Sequence, residues 1–445
     1  MNVAIPKTKA EQSLSEAFEA NAAKLPGSAA VQAARATAIG AFNKLGLPHR
    51  RVEEWKYTDL RVNLKDALPP AVSDAALVTA ADLAGALGGL AGLDATRIVF
   101  VNGSFRAELS DGAAIRGLEV QPLSRALTAA QDKVAEGLMR TSGPEGDATI
   151  ALNTAFMTDG AIVRVADGAT LAKPLLMVFA TAGAAAQLTS VRNIIATGDG
   201  SAATVIEAHV VLDGAAASGQ TNALTELTVG QSATLAHVKI AAGSGKSVHL
   251  ANWNVSLGRD ATYRGFQYTS GQALARNQIN AVYAGVGGKL DLSGAYLVRG
   301  TEHVDTTLVI DHAVPQCESR ELFKGVLDDR GRGVFQGKII VRPDAQKTDG
   351  KQMAQALMLS PDAEFDSKPE LEIYADDVVC GHGTTSAELD ADLLFYCMSR
   401  GIPENEARAL LIESFIGEAL DKVEHDGLRE ALSRSANAWL SAAKG

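Results

Sequence analysis

The sequence predicts a mainly β protein with a right-handed parallel β-helix (β-solenoid) core, an N-terminal helical and mixed region, and a C-terminal helical domain. Between residues 151 and 380 the chain consists of short β-prone runs separated by glycine. The form Gly-x-x-Ala-Thr-apolar starts at Gly200, Gly230 and Gly258, and a substituted copy starts at Gly285. These glycines are 30, 28 and 27 residues apart, and a fixed period in this range is typical of repeat folds. When strands fill each period, the unit is one coil that buries its inner face on its neighbours. An ordinary β-sandwich with coincidental turns is the alternative.

The N-terminal third of the chain has helical and mixed patterns. Residues 8–45 are rich in Ala, Glu and Lys and predict helix, with a break at the Leu-Pro-Gly-Ser of residues 25–28. A composition shift near Ala151 marks the start of the β-prone region. Between the two, we expect a helix near 80–90, a strand at 97–102 and a helix near 123–140.

The C-terminal tail predicts helices. Residues 387–399 form one amphipathic stretch, which ends at Gly401 and Pro403 because glycine terminates a helix and proline can start the next. Residues 404–424 place apolar side chains, Leu410 among them, on one helical stripe. A third helix is expected from about residue 428 to the end. The predicted divisions are residues 1–150 (helical and mixed), 151–385 (β-helix core) and 386–445 (helical domain).

Size and composition exclude several classes of protein. The chain has 445 residues, 47% of them hydrophobic, which allows a large core. A net charge of -11 argues against a nucleic-acid-binding protein, which normally carries a basic patch. The N-terminus lacks the apolar run of a secretory signal, and no apolar stretch is long enough to span a bilayer. Three cysteines do not make a disulfide framework, so we expect a cytoplasmic protein.

The strongest candidate for chemistry is the pair Cys380 and His382. A thiolate and an imidazole are both metal ligands, and in an extended strand residues i and i+2 point to the same face. Zinc sites and iron–sulfur clusters usually need four ligands, so a metal site here requires donors from elsewhere, including another protein. The alternative is a buried cysteine and an exposed histidine in a glycine-rich turn.

Two other regions resemble functional sites less closely. Residues 241–247 end like a phosphate-binding loop, but Ile240 replaces the first glycine and a strand pattern follows where a helix is needed, so we expect no nucleotide there. His303 and His312 lie in a polar segment without the spacing of a zinc site, and we expect core or surface roles for both.

The remaining cysteines are expected to be structural. Cys317 follows Pro315 in a turn and is predicted to be a small buried residue. Cys397 lies beside Phe395 and Tyr396 in a helical apolar pattern, which predicts core packing.

Acidic residues between 364 and 377 leave a second function class open. They alternate partly with apolar residues, which is typical of a solvated strand face, yet paired carboxylates also serve sugar-cleaving β-helix enzymes. A β-helix hydrolase or lyase acting on acidic saccharides is therefore the alternative function. A third hypothesis is a purely structural solenoid in which Cys380 and His382 are inert. The carboxylates are Glu364, Asp366, Glu370, Glu372, Asp376 and Asp377.

The chain resembles the SufB/SufD family of iron–sulfur cluster assembly proteins over essentially its whole length. The resemblance is densest between residues 305 and 415, and the motif Cys-Gly-His-Gly at 380–383 points to the SufD branch. The family's usual form there is Cys-Ser-His-Gly, so Gly381 removes a hydroxyl but leaves both ligand types in place. The segments that carry the resemblance are residues 54–60, 151–160, 309–312, 319–349, 368–378 and 380–383.

The resemblance implies a non-enzymatic scaffold with a β-helix core between helical regions. It implies a complex with a SufB-like subunit and with a SufC-like ABC ATPase dimer that docks on the C-terminal helices. A transient iron–sulfur cluster would form at the SufB–SufD interface, with His382 and the nearby Cys380 contributing to its site. The ATPase would be a separate subunit, so this chain would bind no nucleotide. The charge and composition described above give the expectation that it binds no nucleic acid and no membrane. A homodimer of the isolated chain stays open.

Overall fold

The computed structural model describes residues 6–71, 78–112, 114–129, 146–216, 218–243 and 245–442. The helices are α1 (Lys9–Asn21), α2 (Ala29–Leu45), α3 (Leu60–Asn63), α4 (Ala80–Leu87), α5 (Leu123–Thr128), α6 (Ala148–Phe156), α7 (Ala391–Ser399), α8 (Glu404–Leu420) and α9 (Asp426–Ala442). The strands are β1 (Thr96–Val101), β2 (Ser104–Phe105), β3 (Leu118–Pro122), β4 (Ala161–Val165), β5 (Leu175–Thr181), β6 (Leu188–Thr197), β7 (Ala202–Val211), β8 (Gln220–Val229), β9 (Thr234–Ala242), β10 (Val248–Leu257), β11 (Thr262–Ser270), β12 (Leu274–Tyr283), β13 (Lys289–Val298), β14 (His303–His312), β15 (Glu318–Leu327), β16 (Arg332–Val341), β17 (Asp349–Met358), β18 (Glu364–Ile373) and β19 (Val379–Ala387).

The strands form a parallel β-solenoid, which confirms the predicted core. From β4 onward consecutive strands alternate between two sheets. The odd sheet has the order β19-β17-β15-β13-β11-β9-β7-β5-β1-β2, and the even sheet has the order β18-β16-β14-β12-β10-β8-β6-β4-β3. Successive coils pair in parallel, and apolar side chains from both sheets fill the space between them. Each coil therefore consists of one strand from each sheet, stacked on the coil before it.

Three of the four predicted repeat glycines occupy equivalent corners between coils. They lie four residues before strand residues that are in register across β9, β11 and β13. Glycine is needed there because the coils approach closely: a Cβ atom on Gly285 would lie 2.1 Å from the backbone nitrogen of Arg259. The three glycines are Gly230, Gly258 and Gly285.

The predicted start of the first repeat is wrong by two residues. Ala202, rather than Thr204, is the register partner of Thr234. The corner that corresponds to Gly230 is therefore Gly198, whose hypothetical Cβ atom would lie 2.3 Å from an Asp167 side-chain oxygen. Gly200 has no atom within 4 Å of that position and instead adopts φ +64. The alignment was wrong because Gly200 matches the Gly-x-x-Ala-Thr-apolar pattern but lies in a turn, where it makes no close contact with the neighbouring coil.

The N-terminal region matches the predicted elements where the structure describes it. Helices α1 and α2 occupy residues 8–45 on either side of the predicted break, and Thr8 caps α1 with a reciprocal bond to Glu11. The predicted helix near 80–90 is α4 and the predicted strand at 97–102 is β1, which pairs with β5 and so extends the odd sheet. Of the helix predicted near 123–140, α5 covers the first part, and residues 130–145 lie outside the described residues.

The C-terminal helices are present, with two corrections. Helices α8 and α9 pack on the outer face of the odd sheet together with α4. The first tail helix starts at Ala391, later than predicted, because β19 continues to Ala387. The apolar stripe of α8 is divided between two faces, since Ile412 and Ile416 are buried while Leu410 is 49% exposed. In the described part of the chain, no helix has the length and apolarity to cross a membrane.

Cys397 does not pack in a core, which corrects the expectation for this residue. It lies on α7, and no residue of α7 is buried. The thiol is half-buried only. The apolar pattern of α7 predicts a core-facing surface, but in the structure its large apolar side chains Leu393, Phe395, Tyr396 and Met398 are exposed. Apolar periodicity predicts a helix surface that is suited to burial, but it does not identify the element or the protein that would bury it.

Candidate metal-ligand site

Cys380 and His382 lie on β19, the last strand of the odd sheet. β19 pairs with β17 on one side, and in the sheet order no strand follows it. In this register Cys380 is opposite Gly350 and His382 is opposite Gln352. Because the two residues are separated by one position in an extended strand, their side chains point to the same face. The structure therefore brings the two predicted ligands together at the open end of the solenoid.

The Cys380 thiol is half-buried at this end. It packs against an apolar cluster that includes Ile339 and Val341 of β16, which shows that it faces the space between the two sheets. Burial raises the pKa of the Cys380 thiol, and the charges of Asp349 and Glu321 add to the increase. The thiol is therefore neutral around pH 7, and metal binding would have to displace its proton.

His382 is exposed, although it shares a face with Cys380. In the part of the chain that the structure describes, no later coil covers β18 and β19, so the inner face of this last coil opens to solvent at His382. The residues on either side are Gly381 and Gly383, which leave the strand beside the imidazole without side chains on its other face. Below it, the hydroxyls of Ser367 and Thr384 join β18 to β19 across 3.0 Å. An exposed imidazole beside a half-buried thiol supplies two of the four donors that a tetrahedral site needs.

The polar segment around His303 forms a structural network. His303 is buried, its Nε2 lies 3.0 Å from the Thr58 hydroxyl, and burial lowers its pKa to about 4. The same hydroxyl donates to Asp305, which pairs with buried Arg276. A neutral, hydrogen-bonded imidazole in this setting anchors the segment near Trp55, whose ring lies 4.3 Å from the Arg276 guanidinium.

His312 and Cys317 are also buried. The Nε2 of His312 lies 3.1 Å from the Ser319 hydroxyl, and its ring stacks on Tyr283. The Cys317 thiol donates to the carbonyl oxygen of Pro315, so its predicted structural role is consistent with its place. Among the described residues, no group of three or more His, Cys, Asp or Glu side chains is arranged to hold a metal ion.

The segment that ends like a phosphate-binding loop and the acidic segment around β18 both have structural roles. The segment 241–247 joins β9 to β10, a strand follows it as expected, and its Ser244 lies outside the described residues. The four acidic residues of β18, and Asp377 of the loop after it, form ion pairs with basic side chains, which is typical of a solvated sheet face. The pairs are Glu364 and Asp366 with Arg332, Glu370 with Lys368, Glu372 with Lys338, and Asp377 with Lys347.

Sequence analysis missed a buried ionic cluster inside the solenoid. Glu207 accepts from the Thr225 hydroxyl and lies 2.7 Å from the Nε2 of His237. Lys239 pairs with the Asn277 side chain, and burial lowers the pKa of Lys239 to about 7. The sequence contains a pattern that could have predicted this cluster. In β7 and β9 these ionisable residues occupy alternate positions, in phase with the apolar residues that face the core.

A second missed group lies behind the candidate ligands. Glu321, Gln352 and His382 are register neighbours on β15, β17 and β19, so they share one column of the inner face. Glu321 is 3% exposed, and neither of its carboxyl oxygens has a hydrogen-bond partner among the described residues. Burial raises the pKa of Glu321 to about 8. Only the register between coils shows that these three residues are neighbours in space, and this register cannot be deduced from the sequence.

Comparison with known proteins gives matches over nearly the whole chain. The family model described as "SUF system FeS cluster assembly, SufBD core domain" matches residues 179–415, and the model "SufBD protein N-terminal region" matches residues 8–177. The chain is 32% identical over 397 residues to "Iron-sulfur cluster assembly protein SufD" of Escherichia coli (strain K12), covering 87% of this chain and 88% of that protein.

Two other relatives agree. An "Iron-sulfur cluster assembly SufBD family protein" of Synechocystis sp. (strain ATCC 27184 / PCC 6803 / Kazusa) is 31% identical over 405 residues, or 87% of this chain and 86% of the relative. One of Mycobacterium leprae (strain TN) is 34% identical over 271 residues, or 57% of this chain and 69% of the relative.

Proposed function

The chain belongs to the SufBD family of iron–sulfur cluster assembly proteins and is of the SufD type, and from this we propose that it is a non-catalytic scaffold subunit of an ATP-driven assembly complex. In this proposal a nascent cluster forms where this subunit meets a SufB-like subunit. Cys380 and His382 supply ligands from this side. The observation that carries the proposal is the position of both side chains on one face of a terminal strand.

The incomplete ligand set supports a shared site. Two donors cannot complete the usual four-donor sphere of an iron–sulfur cluster, and the described residues offer no third His, Cys, Asp or Glu in place. A partner that docks against β18 and β19 brings its own donors to this position. Exposed apolar side chains surround the strand end and suit such a contact. They are Met353, Ile373, Tyr374 and Val379.

The tail helices support docking of the ATPase. α7 presents an exposed apolar face, with Phe395 72% and Tyr396 56% exposed, whereas α8 and α9 are held against the solenoid. A SufC-like subunit that covers α7 would place nucleotide hydrolysis on a separate chain. The buried Lys324 of β15 pairs with Glu418 of α8, which would link movement of the tail to a strand two places from β19.

The proposal assigns a separate role to each of the three regions of the chain. Residues 1–150 brace the solenoid, residues 151–385 carry the cluster-forming edge, and residues 386–445 bind the ATPase. The alternative of a saccharide-cleaving enzyme finds no support in β18, because the four carboxylates of this strand are taken up in ion pairs.

The test is cluster assembly by the reconstituted complex with single substitutions in this subunit. We expect His382→Ala to reduce the rate of cluster formation at least tenfold and Cys380→Ala to reduce it less, because the thiol is only partly accessible. Thr385→Ala is the matched control, since Thr385 is exposed on the opposite face of the same strand. Normal assembly with both His382→Ala and Cys380→Ala would leave the solenoid as an inert scaffold and contradict the proposal.

A further inference from the structure

A phenol, an imidazole and a carboxylate form one hydrogen-bonded chain inside the solenoid. The Tyr263 hydroxyl lies 3.1 Å from Nδ1 of His237, and Nε2 of the same ring lies 2.7 Å from a carboxyl oxygen of Glu207. The three side chains extend from β11, β9 and β7, which are neighbouring strands of the odd sheet. All three are fully buried. The hydrogen-bonded chain therefore lies away from solvent and apart from the proposed metal-ligand site.

Glu207 determines which nitrogen of His237 carries the hydrogen. Burial by itself raises the pKa of Glu207, but polar contacts with His209 and His237 outweigh it and hold this pKa below its ordinary value. The ionised carboxylate can only accept, so Nε2 of His237 carries the hydrogen that it receives. In the neutral ring Nδ1 is then an acceptor, and the Tyr263 hydroxyl donates to it.

Gly265 leaves room for this contact. It is the register partner of His237 on β11, and a Cβ atom at this position would lie 2.9 Å from the Tyr263 ring and 3.1 Å from its hydroxyl oxygen. Gly265 has no left-handed φ that would require glycine. The missing side chain lets the phenol lie beside the strand and reach His237, whose ring also packs against Trp253 at a centroid distance of 4.2 Å.

An internal base changes what a buried phenol can do. Loss of one electron turns a phenol into a strong acid, so its oxidation needs an acceptor for the proton. Nδ1 of His237 is already hydrogen-bonded to the phenol, and the Glu207 carboxylate stabilises the imidazolium that forms, as a carboxylate does in a hydrolase triad. The proton therefore does not have to reach solvent for the oxidation to occur.

Aromatic groups also lie between this phenol and the proposed ligands. Tyr263, Ser319 and Cys380 stand in one column of the inner face, each two strand spacings, roughly 10 Å, from the next. Beside the middle of this column, Nε2 of His312 lies 3.1 Å from the Ser319 hydroxyl, and the His312 ring stacks on Tyr283 at a centroid distance of 4.5 Å. An electron moving between Tyr263 and the end of the solenoid thus meets aromatic rings about halfway.

We propose that Tyr263 is a redox-active tyrosine: a strong one-electron oxidant, of the kind that forms where ferrous iron meets peroxide, takes an electron from the phenol while the O–H bond breaks and the proton passes to Nδ1 of His237. The products are a neutral phenoxyl radical and an imidazolium hydrogen-bonded to Glu207, and the oxidant is reduced by one electron. An electron from a thiol reductant and the proton held by His237 then restore the phenol. This activity goes beyond the proposed scaffold function, because it allows the chain to consume oxidants that arise where iron is handled.

The test uses the full chain without any cluster, together with tris(bipyridine)ruthenium(III) generated by a laser flash as the oxidant. Electron paramagnetic resonance after freezing at increasing delays measures the lifetime of the radical. We expect a phenoxyl radical that outlives free tyrosyl radicals at least about tenfold, because the site excludes water and keeps the proton. High-field spectra should show the lowered gx component of a phenoxyl oxygen that accepts a hydrogen bond from a cationic donor. Tyr263→Phe should remove this signal.

Tyr268→Phe is the matched control. Tyr268 is equally buried on the same strand but packs in the cluster on the outer face, and its hydroxyl has no hydrogen-bonded imidazole among the described residues. This variant should leave both the lifetime and gx as in the natural chain, whereas Glu207→Gln, which removes the charge that stabilises the imidazolium, should shorten the lifetime.

Three results would overturn the inference. They are the absence of a long-lived radical in the natural chain, a signal that survives Tyr263→Phe, and a Tyr263 signal whose gx shows no cationic donor. The last of these is measured on the natural chain, so it does not depend on the folding of a variant. Because no cluster takes part, each of these results leaves the proposed scaffold function standing.

Discussion

At the scale of single residues, the solenoid interior holds ionisable groups in two different settings. Glu207 has hydroxyl and imidazole partners, whereas Glu321 has no hydrogen-bond partner among the described residues. An unpaired carboxylate in an apolar space is costly, so the group holds its proton instead. The pKa of Glu321, raised by burial to about 8, expresses this cost.

This pKa predicts a pH-dependent stability. Between the ordinary carboxyl pKa and about 8, the folded chain keeps a proton on Glu321 that the unfolded chain has lost, so the contribution of this residue to the free energy of unfolding falls as pH rises. Glu321→Gln removes the effect. We expect the advantage of the variant over the natural chain to grow by roughly 2–3 kcal/mol between about pH 6 and about pH 8.5.

Urea unfolding followed by circular dichroism at several pH values measures this difference. Glu318→Gln serves as the control, because Glu318 is exposed on the same strand and its removal should shift stability by a constant, small amount. A difference between Glu321→Gln and the natural chain that stays constant with pH would show that Glu321 is ionised in the folded protein.

At the scale of elements, α7 differs from every other long helix that the structure describes. None of its residues is buried, whereas α8 and α9 contribute side chains to a hydrophobic cluster on the odd sheet. Four large apolar side chains on a nine-residue helix are exposed, which is more than a helix without a partner normally presents. They are Leu393, Phe395, Tyr396 and Met398.

The proposed ATPase contact predicts the effect of a charge on this face. Phe395→Asp should weaken binding of a SufC-like subunit at least tenfold, because a buried aromatic side chain at an interface typically contributes about 2 kcal/mol or more. The fold should be unaffected, since Phe395 is 72% exposed in the free chain. Titration calorimetry of the two purified subunits gives the dissociation constant.

Ser399→Ala is the control for this experiment, as Ser399 is an exposed polar residue at the end of the same helix. Equal dissociation constants for Phe395→Asp and the natural chain would place the ATPase contact elsewhere. A lowered melting temperature for Phe395→Asp alone would indicate that α7 supports the fold.

At the scale of the whole molecule, the solenoid places its proposed ligands at an end that the described part of the chain leaves open. Helices pack on the outer face of the odd sheet and α6 packs near β8 and β10 of the even sheet, yet β18 and β19 have no further coil over their inner face. Under the proposed function a site built there would be shared, because the partner subunit would supply the other half of its surroundings.

The isolated chain is therefore expected to bind little or no stable cluster. Anaerobic reconstitution of the chain alone should give far less than one cluster per chain by iron and sulfide analysis, whereas the assembled complex should give a stoichiometric amount. The complex carrying His382→Ala provides the comparison for non-specific iron. A strongly coloured, stoichiometric cluster on the chain alone would mean that the ligand set is complete without a partner.

The sequence by itself determined the fold class, because glycine-marked repeats and β-prone runs express the local demands of a coil, and it determined the pair Cys380 and His382, because strand alternation is a local property. The coil register was beyond it: Gly198 and Gly200 differ only in what their neighbours in the next coil allow. The tertiary structure alone brought Glu321 and Gln352 behind His382, and it alone left the apolar side chains of α7 exposed. The register depends on contacts between residues roughly 30 apart in the chain, one coil of a repeat fold, and no pattern within one strand records it.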